Sequence, residues 1–281
     1  MELTIFAAPV SRSADYGQYL RLAQAAETLG YDGFVRGDHY WGEVAPGSTD
    51  AWVTLAGLVR ETSSIRLGVL VTPATFRHPG SLAIQVAQVD QMSGGRVDFG
   101  LGAGWYEPEH RAYGFDFPPP PARFDDLTDQ LAIITGMWGT PIGETFSYTG
   151  KVHSVTDSPG LPKPVQQPVP IVMGGGGAKR TPALTAQYAA ESNVGFAPVT
   201  TFVERKARVE AACAAIKRQR PMRYSVALVV CAGRTEADVE RRAAAIGRDP
   251  SELRGSKTLW RILTAMNTSN HVLYLIIGRR R

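Results

Sequence analysis

The chain has 281 residues, of which 44% are hydrophobic and 20% charged, a composition typical of a soluble globular protein with one large core. Its formal net charge is +4, but the segment after Gly255 carries five basic residues and no acidic one, so the rest is close to neutral. We therefore expect no nucleic-acid surface and no membrane association, since no run approaches the roughly 18 apolar residues of a membrane helix.

Short apolar runs alternate with helical patterns along the chain, as in parallel βαβ units. The predicted strands cover residues 2–7, 32–36, 65–71, 96–101, 169–173, 192–196 and 223–230. The predicted helices cover residues 16–29, 50–62, 81–92, 124–138, 181–190, 203–218 and 236–246. This regular alternation predicts a single α/β domain over residues 1–281, a (β/α)8 TIM barrel.

Two segments interrupt the alternation. Residues 139–168 contain no strand–helix unit, which predicts an insertion that covers the active face or packs as an ordered surface excursion. Residues 117–121 include four consecutive prolines, which predict a stiff extended connection.

The N-terminus and the cysteines bound the setting of the protein. The first residues carry neither a basic run nor a long apolar stretch, so we expect no signal peptide and a cytoplasmic protein. Cys213 and Cys231 have no CxxC or histidine-rich neighbourhood, so no metal site is expected.

In a TIM barrel the working residues lie where the strands end. Asp38 and His39 follow the second predicted strand. Histidine exchanges a proton near neutral pH, and an adjacent carboxylate can orient it or hold its charge. A surface loop with an aromatic anchor is the alternative, but the position at a strand end favours catalysis.

The third predicted strand ends in Val69, Leu70, Val71 and Thr72. An apolar strand end followed by a hydroxyl suits the face of a planar ring. A buried strand closed by a proline turn fits the same composition equally well.

The segment after the fourth predicted strand combines glycines with aromatic and acidic residues. Its GxGxG spacing differs from the GxGxxG dinucleotide fingerprint, but alternate glycines let a ligand approach the backbone closely. Gly104 and Trp105 are candidate ligand contacts, and Glu107 and Glu109 cluster beside them. Solvated surface acids are the alternative for the two glutamates.

A glycine run follows the fifth predicted strand and leads into a helix. The candidate residues are Gly174, Gly175, Gly176, Gly177, Ala178 and Lys179. Glycine-rich backbone at a helix N-terminus is a natural anion site, although the Walker pattern is not matched. A flexible connector is disfavoured by the entropic cost of four glycines. With the planar wall and the proton-handling His39 and Glu107, this loop indicates a flavin-like cofactor with a phosphorylated tail.

Two stretches carry a family resemblance. The run VTPATFRHPGSLAIQVAQVDQMSGGRVDFGLGAGWYEPEHRAYGFDFPPPPARFDDL resembles the diagnostic centre of the luciferase-like monooxygenase family. The run LPKPVQQPVPIVMGGGG and the opening βα units resemble its coenzyme F420-dependent oxidoreductase subgroup. The similarity extends over about residues 1–254.

This resemblance implies hydride transfer between coenzyme F420 and a small organic substrate. It implies that His39, beside Asp38, acts on the substrate hydroxyl and that Glu107 is the proton donor. It also implies a non-prolyl cis peptide within residues 69–71 and a cofactor phosphate at the glycine run. A reduced-FMN monooxygenase is the alternative, and an inactive cofactor-binding protein is the third. Barrels of this type commonly pair, so a homodimer is an open alternative to a monomer.

The chain departs from the family pattern in two places. Trp41 matches the aromatic residue of the family's substrate pocket only approximately. Residues 255–281 form an atypical basic tail, so we expect an atypical or incomplete closing segment, with the apolar run 272–277 as the candidate eighth strand.

Overall fold

The computed structural model describes residues 2–7, 15–41, 47–230, 233, 235–245, 249, 251 and 273–278. The strands in chain order are β1 (Glu2–Ala7), β2 (Gly33–Arg36), β3 (Arg66–Pro73), β4 (Val97–Gly102), β5 (Phe146–Thr149), β6 (Ser154–Ser158), β7 (Ile171–Gly174), β8 (Glu191–Gly195), β9 (Arg223–Val230) and β10 (Leu273–Gly278). All but β5 and β6 lie in one closed barrel, in the order β1-β10-β9-β8-β7-β4-β3-β2.

Seven barrel strands run parallel, and β10 closes the barrel in the opposite direction. It pairs antiparallel with β1, where Glu2 faces Gly278, and antiparallel with β9, where Val230 faces Leu273. The predicted TIM barrel with an atypical closing segment is confirmed. The apolar run at 272–277 supplies the last strand, while 255–272 and 279–281 lie outside the described residues.

Helices surround the barrel. They are α1 (Tyr16–Thr28), α2 (Ala51–Glu61), α3 (Pro79–Ser93), α4 (Glu107–Tyr113), α5 (Pro120–Gly139), α6 (Arg180–Tyr188), α7 (Val199–Ala215) and α8 (Glu236–Ala245). Their ends follow capping rules: Asp15 and Asp50 each accept a hydrogen bond from a first-turn amide, and Gly94 ends α3 in the left-handed conformation at φ 68°. No helix in the described part of the chain is long and apolar enough to cross a membrane.

The core lies between the barrel and its helices. Leu55 and Leu58 of α2, Leu82 of α3 and Leu131 and Ile134 of α5 are fully buried. Each such side chain contributes about 1.5–3 kcal/mol through removal of apolar surface from water. The packed helices therefore form a rigid support for the β2, β3 and β4 ends.

Two local predictions differ from the structure. No helix is predicted over the residues of α4, and α5 begins at Pro120, inside the proline run predicted to be extended. Proline is favoured in the first helical turn because its missing N–H would have no intrahelical partner there.

The insertion at 139–168 contains the antiparallel hairpin β5–β6. Asp129 of α5 accepts hydrogen bonds from the Tyr148 hydroxyl at 3.0 Å and from the backbone amides of Val152 and His153 at 2.7 and 3.1 Å. The hairpin is thus an ordered excursion held against α5.

Two cavities lie along the barrel axis. We call the carboxyl ends of the parallel strands the upper end and their amino ends the lower end. The lower cavity has a volume of about 280 Å³ and a charged lining that includes Glu2, Asp32, Arg66, Asp98, Glu191 and Arg223. Arg66 donates to both carboxylate oxygens of Asp98, at 2.9 and 2.7 Å. Opposite charges therefore face one another at the lower end.

Candidate active site

A cavity of about 570 Å³ lies at the upper end of the barrel, within the size range of small-molecule sites. It brings together segments from all four strand ends selected from the sequence. Its lining among the described residues is Phe6, His39, Leu70, Val71, Pro73, Gly102, Ala103, Gly104, Trp105, Phe124, Leu127, Gly174, Gly175, Gly176, Gly177, Thr181, Asn193, Gly195, Phe196 and Ala227.

His39 is paired with a buried carboxylate. Its Nδ1 lies 2.7 Å from Oε2 of Glu109, whose side chain is 0% exposed, while the His39 side chain is 23% exposed. The other oxygen of Glu109 accepts hydrogen bonds from the backbone amides of Tyr40 and Trp41, the latter at 2.9 Å. One carboxylate thus fixes both the imidazole and the backbone that follows it.

This pairing decides which imidazole nitrogen is available. A carboxylate only accepts hydrogen bonds, so Nδ1 of His39 carries a proton in the Glu109 contact. Nε2 then holds the lone pair of the neutral ring and is the nitrogen available to a molecule in the cavity. His39 is therefore arranged to accept a proton, with Glu109 beside it to balance the resulting positive charge.

The two glutamates of α4 have different surroundings. Glu107 is exposed at the start of α4 and has no hydrogen bond to His39, whereas Glu109 is buried against it. A helix of 3.6 residues per turn points residues two apart in different directions. The predicted role of Glu107 as proton donor stays a prediction, and the contact with His39 belongs to Glu109.

Asp38 is bound to Arg77 and anchors the loop that carries His39. It is 1% exposed, and both its oxygens accept from the Arg77 guanidinium, at 2.5 and 3.2 Å. Arg77 also donates to Asp50 at 2.5 Å and to the Tyr40 hydroxyl at 2.9 Å. Asp38 is therefore placed to position the His39 loop through Arg77.

The charges of this network are strongly coupled. Burial opposes the charged form of Arg77, but Asp38 and Asp50 outweigh it and raise the Arg77 pKa. Burial likewise opposes ionisation of Asp50, but Arg77 and hydrogen bonds from Val53 and Tyr40 hold the Asp50 pKa below its usual range. The network therefore favours an ionised carboxylate at Asp50.

A second buried guanidinium supports the same loop. Arg36, at the end of β2, is 0% exposed and lies 4.2 Å above the centre of the Tyr19 ring. It donates to the hydroxyls of Ser48, Thr49 and Thr54 at 3.0, 2.7 and 2.8 Å. These contacts connect the β2 end to the start of α2.

Leu70 and Val71 form one wall of the cavity, and a β-bulge shifts the β3 register at this point. The expected non-prolyl cis peptide is present at Leu70-Val71. Glycines make room for the Val71 side chain: a Cβ at Gly102 would lie 2.9 Å from it and one at Gly174 3.3 Å. The wall is apolar and closely backed, which suits a flat ring.

Val69 and Thr72 do not line this cavity. Val69 faces the lower cavity, and the Thr72 hydroxyl accepts a hydrogen bond from Nε1 of Trp52 at 3.0 Å. The hydroxyl expected on the wall is thus used in helix packing. The bulge between the two residues explains the difference, because it interrupts the simple alternation along β3.

The glycine run Gly174–Gly177 borders the cavity and precedes α6. Gly175 has φ +130°, a conformation that suits glycine. Thr181, in the first turn of α6, lines the same space, and its hydroxyl lies beside Gly177. Ala178 and Lys179 are exposed and do not line the cavity. A helix N-terminus next to glycine backbone is an arrangement that can bind an anion.

Two arginines lie near this run, and they differ in their contacts. Arg180 is bound to α5, donating to Asp125 at 2.6 Å and to the Pro121 carbonyl at 3.0 Å. Arg205 of α7 lies over Gly176, where an added Cβ would be 2.8 Å from Nη2. It forms no hydrogen bond or ion pair with the described residues. Arg205 is therefore the guanidinium available to an anion there.

Aromatic side chains frame the entrance. Trp105 is 72% exposed, and its ring meets the His39 ring edge-on with centroids 5.7 Å apart. Tyr106 lies between Trp105 and Trp41, with centroid distances of 5.1 and 6.0 Å. Gly104 adopts φ +78° and lies beside Thr75. The sequence-predicted Gly104 and Trp105 thus lie on the cavity lining.

Sequence reasoning missed several of these residues. Arg77 and Arg36 stand next to the selected motifs, but nothing local identifies them as buried cations. Arg205 and Asn193 reach the site only through packing of α7 and the inward face of β8. Among the described residues, no group of three or more His, Cys, Asp and Glu side chains could hold a metal.

The geometry can be compared with known proteins. Over 159 residues the chain is 33% identical to the F420-dependent glucose-6-phosphate dehydrogenase of Microbacterium testaceum (strain StLB037), covering 56% of this chain and 46% of that protein. Over 166 residues it is 26% identical to the FMNH(2)-dependent dimethylsulfone monooxygenase of Pseudomonas putida, covering 59% of this chain and 44% of that protein. These matches span less than half of each relative.

The fold and a family model extend the comparison to nearly the whole chain. An F420-dependent secondary alcohol dehydrogenase, solved with an F420-acetone adduct, has a TM-score of 0.73 at 19% identity over 92% of this chain and 82% of that chain. This likeness concerns the fold. The family model described as luciferase-like monooxygenase matches residues 1–268. With the β3 bulge, the His39 loop and the glycine run in one barrel end, the chain belongs to the luciferase-like monooxygenase family.

Proposed function

We propose that this protein transfers a hydride between coenzyme F420 and a small organic substrate, with His39 handling the proton of the substrate. The observation that carries the proposal is the contact of His39 with the buried carboxylate of Glu109 at the edge of the cavity. The F420-dependent dehydrogenase among the relatives supports the choice of cofactor.

The residues present fit such a cofactor. The cavity of about 570 Å³ can hold a tricyclic ring, with Leu70 and Val71 as its flat wall. The run Gly174–Gly177, with Thr181 and Arg205, would hold the phosphate. When bound, F420 supplies or accepts the hydride at the ring carbon that replaces the oxygen-activating nitrogen of a flavin.

The chain's own residues manage the proton. During oxidation of an alcohol, Nε2 of His39 accepts the hydroxyl proton, and Glu109 stabilises the imidazolium at 2.7 Å. In the reverse direction the imidazolium returns that proton to the carbonyl oxygen. Trp105 and Tyr106 border the space beside His39.

A reduced-FMN monooxygenase is the second candidate, favoured by the FMNH(2)-dependent relative. The same wall and glycine run suit FMN, because its ring has the same shape and its tail ends in a phosphate. An inactive cofactor-binding protein would use the same pocket without dependence on His39.

Parallel titrations with F420 and FMN, followed by fluorescence quenching, test the cofactor. We expect F420 to bind and to change its absorbance on addition of a reducible or oxidisable substrate. Tight binding of FMN alone, with oxygen uptake that depends on reduced FMN, would replace the proposal by its alternative.

The Glu109→Gln variant tests the proton step. It keeps an acceptor for the backbone amides but removes the negative charge beside the imidazolium. We expect lower turnover and a changed pH–rate profile, because the imidazolium loses the neighbouring negative charge that stabilises it. Cofactor-linked turnover with an unchanged pH profile in Glu109→Gln would contradict the assigned pairing.

A further inference from the structure

A polar chain runs through the barrel between the two cavities. Asn193 of β8 lines the upper cavity, and its Nδ2 donates to Ser225 Oγ of β9 at 2.8 Å. Ser225 Oγ donates to Oε1 of Glu191, which lines the lower cavity, at 2.5 Å. Arg223 lies 3.2 Å from the other Glu191 oxygen. Asn193 is thus connected through one side chain, that of Ser225, to the half-buried carboxylate of Glu191.

The direction of these hydrogen bonds follows from the carboxylate. An ionised Glu191 only accepts hydrogen bonds, so the Ser225 hydroxyl donates its single hydrogen to Glu191. Ser225 must then accept from Asn193, and only the amide nitrogen of Asn193 can donate. The amide oxygen of Asn193 is therefore the end left for the upper cavity.

Asn193 occupies a defined place in that cavity. It is buried and pairs in register with Gly174, the first residue of the glycine run. Its neighbours in the lining include the apolar Phe6, Leu70 and Ala227. A single hydrogen-bond acceptor in a mostly apolar pocket fixes the orientation of a bound ligand.

We propose that Asn193 contacts the cofactor and accepts a hydrogen bond from a ring N–H, while Ser225 and Glu191 are positioning residues that fix its amide. Flavin and deazaflavin rings in the oxidised state share one such donor, the imide N–H between two carbonyls. This inference rests on the proposed function, since it assumes a ring of this class in the upper cavity.

The groups around Glu191 fix the hydrogen bonds that link it to Ser225 and Asn193. Burial raises the Glu191 pKa, and the Ser225 hydroxyl and Arg223 oppose that effect. Asp98 of β4 and Glu2 of β1 are the other charged groups acting on it. Above the Glu191 pKa both hydrogen bonds run in one direction: Asn193 donates to Ser225, and Ser225 donates to the carboxylate.

The test compares two ligands that differ only at the imide nitrogen. The probes are 5-deazariboflavin and its 3-methyl derivative, which carry no phosphate and so do not depend on the glycine run. Fluorescence titration gives both dissociation constants for the wild type, Asn193→Ala, Ser225→Ala and the control Ser192→Ala, whose side chain is on the opposite face of β8. Thermal melting establishes that each variant is folded.

We expect the wild type to bind the unmethylated ring at least about tenfold more tightly, the size of one buried hydrogen bond. In Asn193→Ala this ratio falls towards one, mainly through weaker binding of the unmethylated ring. In Ser225→Ala the ratio falls partway, because the Asn193 amide is free to turn. Ser192→Ala keeps the wild-type ratio.

A ratio that stays at its wild-type value in Asn193→Ala overturns the inference. A purely structural role would weaken both probes equally and leave the ratio unchanged, which also overturns it. If the wild type binds neither these probes nor FMN nor F420, the proposed function fails as well. Wild-type binding of F420 or FMN with an unchanged ratio overturns this inference alone.

Discussion

The two ends of the barrel hold similar residue types but arrange them differently. At the upper end the Arg77 network is closed on itself, while His39 of the neighbouring pair leaves one nitrogen facing an apolar cavity. At the lower end Arg66 pairs with Asp98 and Arg223 with Glu191, around a cavity of about 280 Å³, half the volume of the upper cavity. The upper end thus leaves a histidine nitrogen facing its cavity, whereas the charges of the lower end are paired with one another.

The largest effect is expected on turnover, when His39 at the upper end is replaced. We expect His39→Ala to lower cofactor-linked turnover by about 10²–10⁴-fold, the usual contribution of a positioned acid or base. The unfolding free energy should also fall, by about 1–3 kcal/mol, because Oε2 of the buried Glu109 loses its hydrogen-bond partner. Steady-state kinetics and denaturant unfolding measure the two quantities. His78→Ala, at the start of α3, is the control, and equal turnover in the two variants would exclude the assigned role.

The next largest effect is expected on stability, when Arg77, which supports the His39 loop, is replaced. Arg77→Ala leaves Asp38 and Asp50 without their cation, and the loss of one partner of a buried pair costs about 3–5 kcal/mol of unfolding free energy. Urea unfolding measures it. The control Arg208→Ala removes an exposed pair with Glu204 and should cost no more than about 0.5 kcal/mol. Similar losses in both variants would show that the upper network is not special.

A third prediction sharpens the assignment of the anion site. Arg205→Ala should weaken FMN and F420 binding by about 10–100-fold, since hydrogen bonds to charged groups contribute about 1.5–3 kcal/mol. Riboflavin lacks the phosphate and should bind both forms equally. Arg208→Ala, on the same helix, should leave all three affinities unchanged. If riboflavin binding weakens as much as FMN binding, Arg205 acts on the ring or on the fold and does not bind the phosphate.

The smallest expected effect is the pH dependence of folding stability, which should differ in sign between Asp50 at the upper end and Glu191 at the lower end. The Asp50 pKa is lowered in the folded state, so its stabilisation is present above its unfolded pKa and is lost as pH falls through the folded pKa. The Glu191 pKa is raised, so folding favours its protonated form, and stability falls as pH rises from the unfolded towards the folded pKa.

Stability measured against pH in Asp50→Asn and Glu191→Gln checks these signs. Relative to each variant, the wild type should lose stability on acidification in the first comparison and on alkalisation in the second. The same sign in both comparisons would contradict the contrast between the ends.

Much of the frame could be predicted because it depends on local pattern. Alternating apolar runs and helix caps indicate the barrel, and His39 is identifiable by residue type and by its place after a strand. The direction of β10 is different: a strand has the same two-residue period in either direction, so its pattern cannot distinguish parallel from antiparallel pairing.

The partners of the site residues could not be predicted because they depend on packing. The contact of Glu109 rather than Glu107 with His39 depends on the short helix α4, which the sequence pattern does not predict. Arg205 is far from Gly176 in sequence, and only the packing of α7 brings it over the glycine run. Thr72 was misplaced because the bulge in β3 changes which side chains face the cavity.

The position of Trp105 has a practical optical consequence. An indole that is 72% exposed and lies beside His39 emits light from the rim of the very cavity a chromophore would enter. Flavins and deazaflavins absorb where tryptophan emits, so occupancy of the cavity should dim this emission by energy transfer. Comparison of Trp105→Phe with the wild type separates that signal from the emission of the other four tryptophans of the chain. The entrance of the site thus contains its own reporter.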